Sequence, residues 1–368
     1  MPNQITIKQF SFSDSELERI WMDLEFKNPP FIFQTYNWCK NWYDKVGRYD
    51  DDSIPLVLVV YFKQDPVALF PLVLRQKRSL KIISFLGGDQ SDYNSILHGQ
   101  LDIEFQEVWD EVLRNLPKFD LISLNRIPEK IGVNDNVLCS LSGMVFLEEA
   151  HHIDFSLIED EDHVVSKRSK KDIQRMMRRL SDHGVLEMRI AQSDKDFQKV
   201  IGHTLEQKER RYLDTGARNI LSNPQVKNFY KTLFQLDSED IKIHLSSLHL
   251  KGDILSTHLG FIYENRYYYI FPTFEEGNYV KYSPGRVLLY ELVNISLRSG
   301  IQVFDMTIGS EDYKKKWSNG SLQIYDYYHC ATFKGQVYML IQSLIAYIKK
   351  SPRLKSYFLR INQYIRFY

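Results

Sequence analysis

The chain has 368 residues, 43% of them apolar and 26% charged, a globular mixture that excludes disorder, collagen and coiled-coil filaments. At roughly 150 residues per domain it holds two domains or one large one. Lys+Arg and Asp+Glu balance at 47 each, so net charge gives no argument for nucleic acid. Cys39, Cys139 and Cys330 are too few and too far apart for a disulfide framework or a thiolate zinc site.

The opening Met-Pro-Asn-Gln-Ile-Thr-Ile-Lys lacks a basic segment followed by an apolar core, and no run of about 18 apolar residues occurs anywhere. A cytoplasmic enzyme or binding protein is expected. The 23 Tyr and 22 Phe suit either a large core or a surface that grips sugars or lipids.

In chain order, Ser13 to Leu24 reads as a short helix, and Thr35 caps a second that carries Trp38 and Trp42 on one face. Ile54 to Tyr61 and Val67 to Leu74 form a β-hairpin about Phe62 to Pro66. Lys81 to Leu86 is a strand ending in Gly87-Gly88-Asp89. Ile103 to Leu116 is a helix with Phe105, Val108, Val112 and Leu116 in register, and Leu121 to Leu124 is a closing strand. These elements make an α/β (α+β) lobe.

A boundary falls where the acidic cluster Glu159 to Asp162 meets Lys167, Arg168, Lys170 and Lys171. The following helix, about Ser169 to His183, buries Ile173, Met176, Met177 and Leu180 and shows Arg175, Arg178 and Arg179 elsewhere. It is a structural brace between lobes or a contact for an acidic acceptor or nucleotide; the resemblance given below adds a contact for tRNA. Two helices follow, Asp194 to Tyr212 and Asn223 to Gln235. The strands Ile241 to Leu250, Ile254 to Tyr263 and Arg266 to Thr273 come next, then a helix from Arg286 to Arg298 and a strand from Ile301 to Met306. The order repeats that of the first lobe without any fixed sequence period, so a duplication lies at the level of fold.

Two stretches carry candidate chemistry. In Ser283-Pro284-Gly285-Arg286, the serine suits an N-cap, the proline the first helical position, and the glycine a close backbone approach by a ligand. A helix N-terminus with an adjoining arginine makes an anion site that fits a pyrophosphate; the same residues also make an ordinary helix start. In Phe304-Asp305 to Tyr313-Lys314, a strand ends in Asp305 and is followed by Glu311, Tyr313 and Lys314. Such strand ends hold ligands in α/β folds, and the three side chains suit proton transfer. A capping Asp before a solvated helix fits the pattern too. Histidine spacing offers no metal motif. His258 is either a base facing the cleft or a hydrogen-bonded histidine of the sheet.

In the tail, Leu354, Tyr357, Phe358, Ile361, Tyr364, Ile365 and Tyr368 share one helical face, with Arg353, Lys355, Arg360 and Arg366 elsewhere. That is an amphipathic basic helix, suited to packing on its own domain, to a membrane surface or to a protein partner.

From about Phe33 to Trp317 the chain resembles the CelD-like acetyltransferases of the GNAT superfamily, which are related to the two-lobed Fem transferases. The resemblance runs through Phe33-Gln34-Thr35-Tyr36-Asn37-Trp38, Leu69-Phe70-Pro71-Leu72, Phe85-Leu86-Gly87-Gly88 with Ser91-Asp92-Tyr93, and the basic Arg178-Arg179-Leu180 helix. It continues in Tyr282 to Leu289 and in Phe304-Asp305 with Gly309 to Lys314. It implies tandem GNAT-like lobes, each a mixed sheet flanked by helices, with boundaries at 1–150 and 151–333 and a helical tail at 334–368. It further implies an acyl-CoA donor, most simply acetyl-CoA, on the second lobe, with no metal, and an amine acceptor on a sugar or a cell-envelope or polysaccharide precursor. The expected donor residues are Phe271, Thr273, Ser283, Gly285, Arg286 and Val287, although Pro272 in that strand has no N–H to offer. Glu311 is the expected base, Tyr313 or Lys314 the acid or oxyanion donor, and Asp305 the group that orients the acceptor, with His258 as a further candidate. The alternatives are a Fem-like transferase using aminoacyl-tRNA and a catalytically silent scaffold in polysaccharide assembly. Peripheral contact with the inner membrane face falls to the tail.

Overall fold

A computed structural model describes residues 5–50, 52–77, 79–158, 164–309 and 311–350. The amphipathic tail proposed for Arg353 to Tyr368 lies outside the described residues.

The first lobe runs β1 (Ile5–Phe10), α1 (Ser15–Lys27), α2 (Tyr36–Lys45), β2 (Ser53–Phe62), β3 (Asp65–Lys77), β4 (Leu80–Phe85), β5 (Leu97–His98), α3 (Phe105–Asn115) and β6 (Leu121–Pro128). A two-residue hairpin, β7 (Lys130–Ile131) and β8 (Asn134–Asp135), precedes β9 (Met144–Asp154). The second lobe runs α4 (Lys167–Ser181), β10 (Leu186–Ile190), α5 (Asp194–Thr215), α6 (Pro224–Lys231), β11 (Lys242–Leu250), β12 (Asp253–Tyr263), β13 (Arg266–Phe274), α7 (Pro284–Arg298) and β14 (Val303–Asp305). α8 (Asp312–Trp317), β15 (Gly320–Cys330) and α9 (Phe333–Lys350) follow.

Local chemistry accounts for the boundaries. Thr35 caps α2 by accepting from the Trp38 N–H, as predicted, and Ser193 and Asn223 cap α5 and α6 in the same way. The loops of the hairpins β2–β3, β11–β12 and β12–β13 are Lys63-Gln64, Lys251-Gly252 and Glu264-Asn265, each with positive φ at both residues. That is the two-residue turn whose twist matches the strands it joins.

All strands but β7 and β8 belong to one thirteen-stranded sheet ordered β1-β2-β3-β4-β6-β15-β9-β14-β13-β12-β11-β10, with β5 paired to β3. The halves mirror each other: three antiparallel pairings end in a parallel one, β4 with β6 in the first lobe and β13 with β14 in the second. The predicted duplication is therefore present as topology. The strands at the seam were not predicted. β9, which closes the first half of the chain, pairs with β14, while β15, which closes the second, pairs with β6. β9 and β15 pair with each other, so each half gives its last strand to the other. The expected boundary at residue 150 falls inside β9.

Three apolar clusters line this sheet. The middle one joins Trp21, Phe33 and Trp38 of the first lobe to Phe229, Phe261 and Phe271 of the second. Trp38 meets Phe229 and Phe261 edge to face, each at 5.3 Å between centroids, geometry that adds about 0.5–1.5 kcal/mol per pair beyond burial. The basic helix α4 packs by Ile173, Met176, Met177 and Leu180 into the cluster that contains α7. It braces the second lobe rather than the junction between lobes.

Candidate active site

β13 and β14 pair in parallel only as far as Tyr268 with Asp305. Beyond that rung β13 continues to Phe274 while the backbone after β14 turns off through Met306 and Thr307. On the opposite side, pairing with β12 slips so that Leu259 faces Phe271 and Gly260 faces Tyr269, leaving Ile270 as a bulge. The parting strands open a cavity of about 300 Å³, walled by Tyr269, Thr273, the start of α7, Glu311 and Tyr313, with Lys208 and Arg211 of α5 across it.

Of the predicted donor residues, Thr273, Ser283, Gly285 and Arg286 line this cavity, together with Pro272. Pro284 is the first helical residue of α7, as predicted. Ser283 takes the cap position in a left-handed conformation, φ 49°, ψ 57°, and its side chain caps nothing. Its carbonyl instead turns back to accept from the N–H groups of Arg286 and Val287. The helix start therefore keeps one free backbone donor among the described residues, at Gly285. A left-handed serine costs of order 1–3 kcal/mol and is the kind of strain that collects at ligand sites. The Arg286 Nε is buried without a hydrogen-bond partner. The side chains of Phe271 and Val287 lie away from the cavity: both are buried, in the middle core and the α7 core respectively.

Of the predicted catalytic residues, Glu311 and Tyr313 reach the cavity. Glu311 is exposed at the start of α8, and Lys314, buried, holds it through Nζ at 3.3 Å while donating to the Ile308 carbonyl. Gly309, at φ +128°, permits this closure, because a Cβ there would lie 2.5 Å from Glu311 Oε2 and 2.6 Å from Lys314 Nζ. Burial, and then the charge of Glu311, push the Tyr313 phenol well above its ordinary value, so it keeps its proton.

Asp305 and His258 are elsewhere. Asp305 is buried at the seam, where Oδ1 accepts from Tyr93 Oη and the Thr307 N–H and Oδ2 accepts from Arg266, each at 2.8 Å. An aspartate at this strand end neutralises a buried guanidinium and lines no part of the cavity. His258 is fully buried. It stacks on Tyr269 at 4.1 Å between centroids and shares the Tyr267 phenol with His244. Burial drives its pKa far below the ordinary histidine value, so it is a neutral histidine of the sheet.

Lys208 and Arg211 were missed. Burial, and then Arg211, lower the Lys208 pKa to about 8; its ammonium lies over the Phe271 ring at 4.5 Å. A signal existed in the sequence, since Thr204, Gln207, Lys208 and Arg211 recur at i, i+3, i+4 and i+7, a polar stripe where α5 should be apolar. Thr204 and Gln207 are buried and join Thr257 and Thr273 in one hydrogen-bonded network that fixes the cavity wall.

Among the described residues no helix is long and apolar enough to cross a membrane, and no group of His, Cys, Asp and Glu could hold a metal ion.

Two mixed half-sheets, a bulged strand that parts from its parallel neighbour, and a helix start at the gap make a two-lobed fold of the kind seen in tandem GNAT and Fem structures. Residues 167–315 match the family model described as an acetyltransferase (GNAT) domain. The chain is similar to the crystal structure of FemX, with a TM-score of 0.58 at 12% identity over 91% of this chain and 99% of that one. It is also similar to L-PGS from Bacillus licheniformis, with a TM-score of 0.52 at 10% identity over 90% and 97%. A tandem GNAT protein from the clavulanic acid biosynthesis pathway gives 0.50 at 10% identity over 89% and 99%. At such identities the likeness to these structures is one of fold. No curated protein matches the chain significantly.

Proposed function

We propose that the chain is an acyl-CoA-dependent N-acyltransferase, most simply an acetyltransferase, acting on an amine of a sugar or of a cell-envelope or polysaccharide precursor. The observation that carries this reading is the cavity between β13 and β14. It combines an unpartnered Arg286 Nε, a free Gly285 N–H, Lys208 and Arg211 with the single carboxylate of Glu311. That balance suits a pyrophosphate better than a neutral ligand. In this reading residues 151–333 hold the donor, residues 1–150 help present the acceptor, and 334–368 is a tail.

The donor supplies a thioester, whose acyl carbon accepts the amine nitrogen as the C–N bond forms and the C–S bond breaks. Glu311 takes the proton of the ammonium, directly or through water, and Lys314 keeps that carboxylate in place. Tyr313, protonated, donates to the departing sulfur. Lys208 sets positive charge beside the acyl oxygen.

Calorimetric titration with acetyl-CoA tests the donor site. A Cβ at Gly285 would have only Phe274 Cδ1 near it, at 3.9 Å, so Gly285→Glu should fold normally and lose donor binding. Unchanged affinity would overturn the assignment.

An aminoacyl-tRNA donor is the second reading, and one observation favours it: Lys167, Arg168, Lys171, Arg178 and Arg179 of α4 are exposed. That helix packs against the Val280–Tyr282 turn at the mouth of the cavity. A tRNA gel shift that survives where acetyl-CoA fails to bind would select it, and failure of both would point to a silent scaffold. Peripheral membrane contact through the tail belongs to the same proposal. α9, the described part of that tail, exposes Leu340, Ile341 and Leu344, with Phe333 exposed at its start.

A further inference from the structure

A second cavity, of about 410 Å³, lies between Arg75, Gly88, Asn94 and Arg126 of the first lobe and Glu148 and Ile308 at the seam. Gly309 stands between it and the donor cavity. Its N–H donates to Glu148 Oε2 at 2.9 Å, and Glu311 Oε2 lies 2.5 Å from where its Cβ would be. Glu148 of this cavity and Glu311 of the donor cavity are thus joined through one glycine.

The charged groups of this cavity are engaged, with one exception. Asp89 pairs with Arg218 at 2.9 Å. Asp326 accepts from the Arg126 N–H and from Tyr328 Oη, both at 2.9 Å, and Glu148 is taken by Gly309. Arg126 donates to the Ser91 carbonyl at 2.6 Å and lies 3.7 Å from Asp92. The side chain of Arg75, on β3, has no ion pair and no hydrogen bond among the described residues, and its Nε is buried and unpartnered. Its guanidinium lies over the Trp42 ring at 5.7 Å. Gly88 closes the other side, where a Cβ would meet Arg75 Nη2 and Trp42 Cζ2 at 3.2 Å each. Burial lowers its pKa, partly countered by Asp50 and Asp89, yet a guanidinium has no means of becoming neutral in this range. A ring face offsets part of the cost of burying the charge but accepts none of the N–H donors.

We propose that Arg75 recognises an anionic group of the acceptor, so that the substrate is an amine that also carries a phosphate or a carboxylate. The planar fork of an arginine that lies over an indole and is tied up by no other partner can make two parallel bonds to such an oxyanion. This rests on the acyltransferase reading for the role of the ligand, and not for its binding.

The test is calorimetric titration of inorganic pyrophosphate and of citrate into the Gly285→Glu protein, whose donor cavity is blocked. The expected result is one site for one of the two anions, which distinguishes a phosphate-bearing from a carboxylate-bearing acceptor. Affinity should fall at least tenfold in Arg75→Met, and Arg75→Lys, which keeps the charge and loses the fork, should fall less. Arg286→Met should leave it unchanged. No binding of either anion to the folded protein, or equal binding by Arg75→Met, would overturn the proposal. If Arg75→Met fails to melt cooperatively, undiminished binding by Arg75→Lys overturns it instead. Acetyl-CoA affinity measured on Arg75→Met in a Gly285 background should match the unsubstituted protein. Failure of that protein to bind acetyl-CoA sinks the donor reading and leaves the anion result standing.

Discussion

Tyr93 Oη donates to Asp305 Oδ1 at 2.8 Å across 212 residues of sequence. The carboxylate it meets is already paired with Arg266, whose guanidinium lies over the first-lobe ring of Phe31 at 5.3 Å. The seam between the lobes is therefore locked by one buried ion pair with hydrogen bonds from both sides. Breaking a buried pair by removing one partner typically costs about 3–5 kcal/mol. Asp305→Ala should lose about that much in urea unfolding. Tyr93→Phe, which removes one bond and keeps the ring, should lose only about 1–2 kcal/mol.

Glu311→Gln should lower turnover by roughly 10²- to 10⁴-fold, the usual contribution of a general base, with acetyl-CoA affinity little changed. Lys314→Ala should act in the same direction by releasing the carboxylate. Steady-state kinetics beside donor titration separates the two effects; full turnover in Glu311→Gln would assign the residue to a structural turn.

Lys208 has a folded pKa of about 8 against 10.5 when free. The folded protein thus binds fewer protons than the unfolded chain between these values, and its stability rises as pH climbs from about 8 to above 10. Below pH 8 the buried ammonium carries its full penalty. Lys208→Met should raise the denaturation midpoint at pH 7 and flatten the rise on the alkaline side. A variant with the unsubstituted alkaline slope would show that another group titrates there.

Burial lowers His244 to about 4, and His258 lies in the same buried trio with Tyr267. Neutral imidazoles in the fold face an unfolded chain that takes up protons near pH 6.5. The stability they hold above that value is lost as pH falls towards 4. Urea midpoints at pH 7 and pH 4.5 should differ, and by less in His244→Gln; an unchanged difference would place the acid sensitivity on carboxylates.

Much of this arrangement was legible in the residues themselves. Thr35 before Trp38, Asn223 before Pro224, and Ser283-Pro284-Gly285 act through neighbours a few positions away, so helix starts could be read directly. The repeated order of helices and strands was visible for the same reason, since periodicity is a local property. Glu311 and Tyr313, which line the cavity, stood out because they follow a strand end, where such folds gather ligands.

The residues that went astray did so through contacts distant in sequence. Asp305 reads as a site residue until Tyr93 and Arg266 are seen to take its oxygens, and His258 until Tyr267 and Tyr269 enclose it. Lys208 sits on an ordinary-looking helix, and only the parting of β13 from β14 turns that face into a cavity wall. The exchange of β9 and β15 is the clearest case. Either strand could pair within its own half, and nothing local in Met144–Asp154 or Gly320–Cys330 names its partner. Alternation within a strand sets which side chains point to which face. Which strand lies alongside is decided by the whole chain, through the apolar surface that one continuous sheet buries between its two lobes.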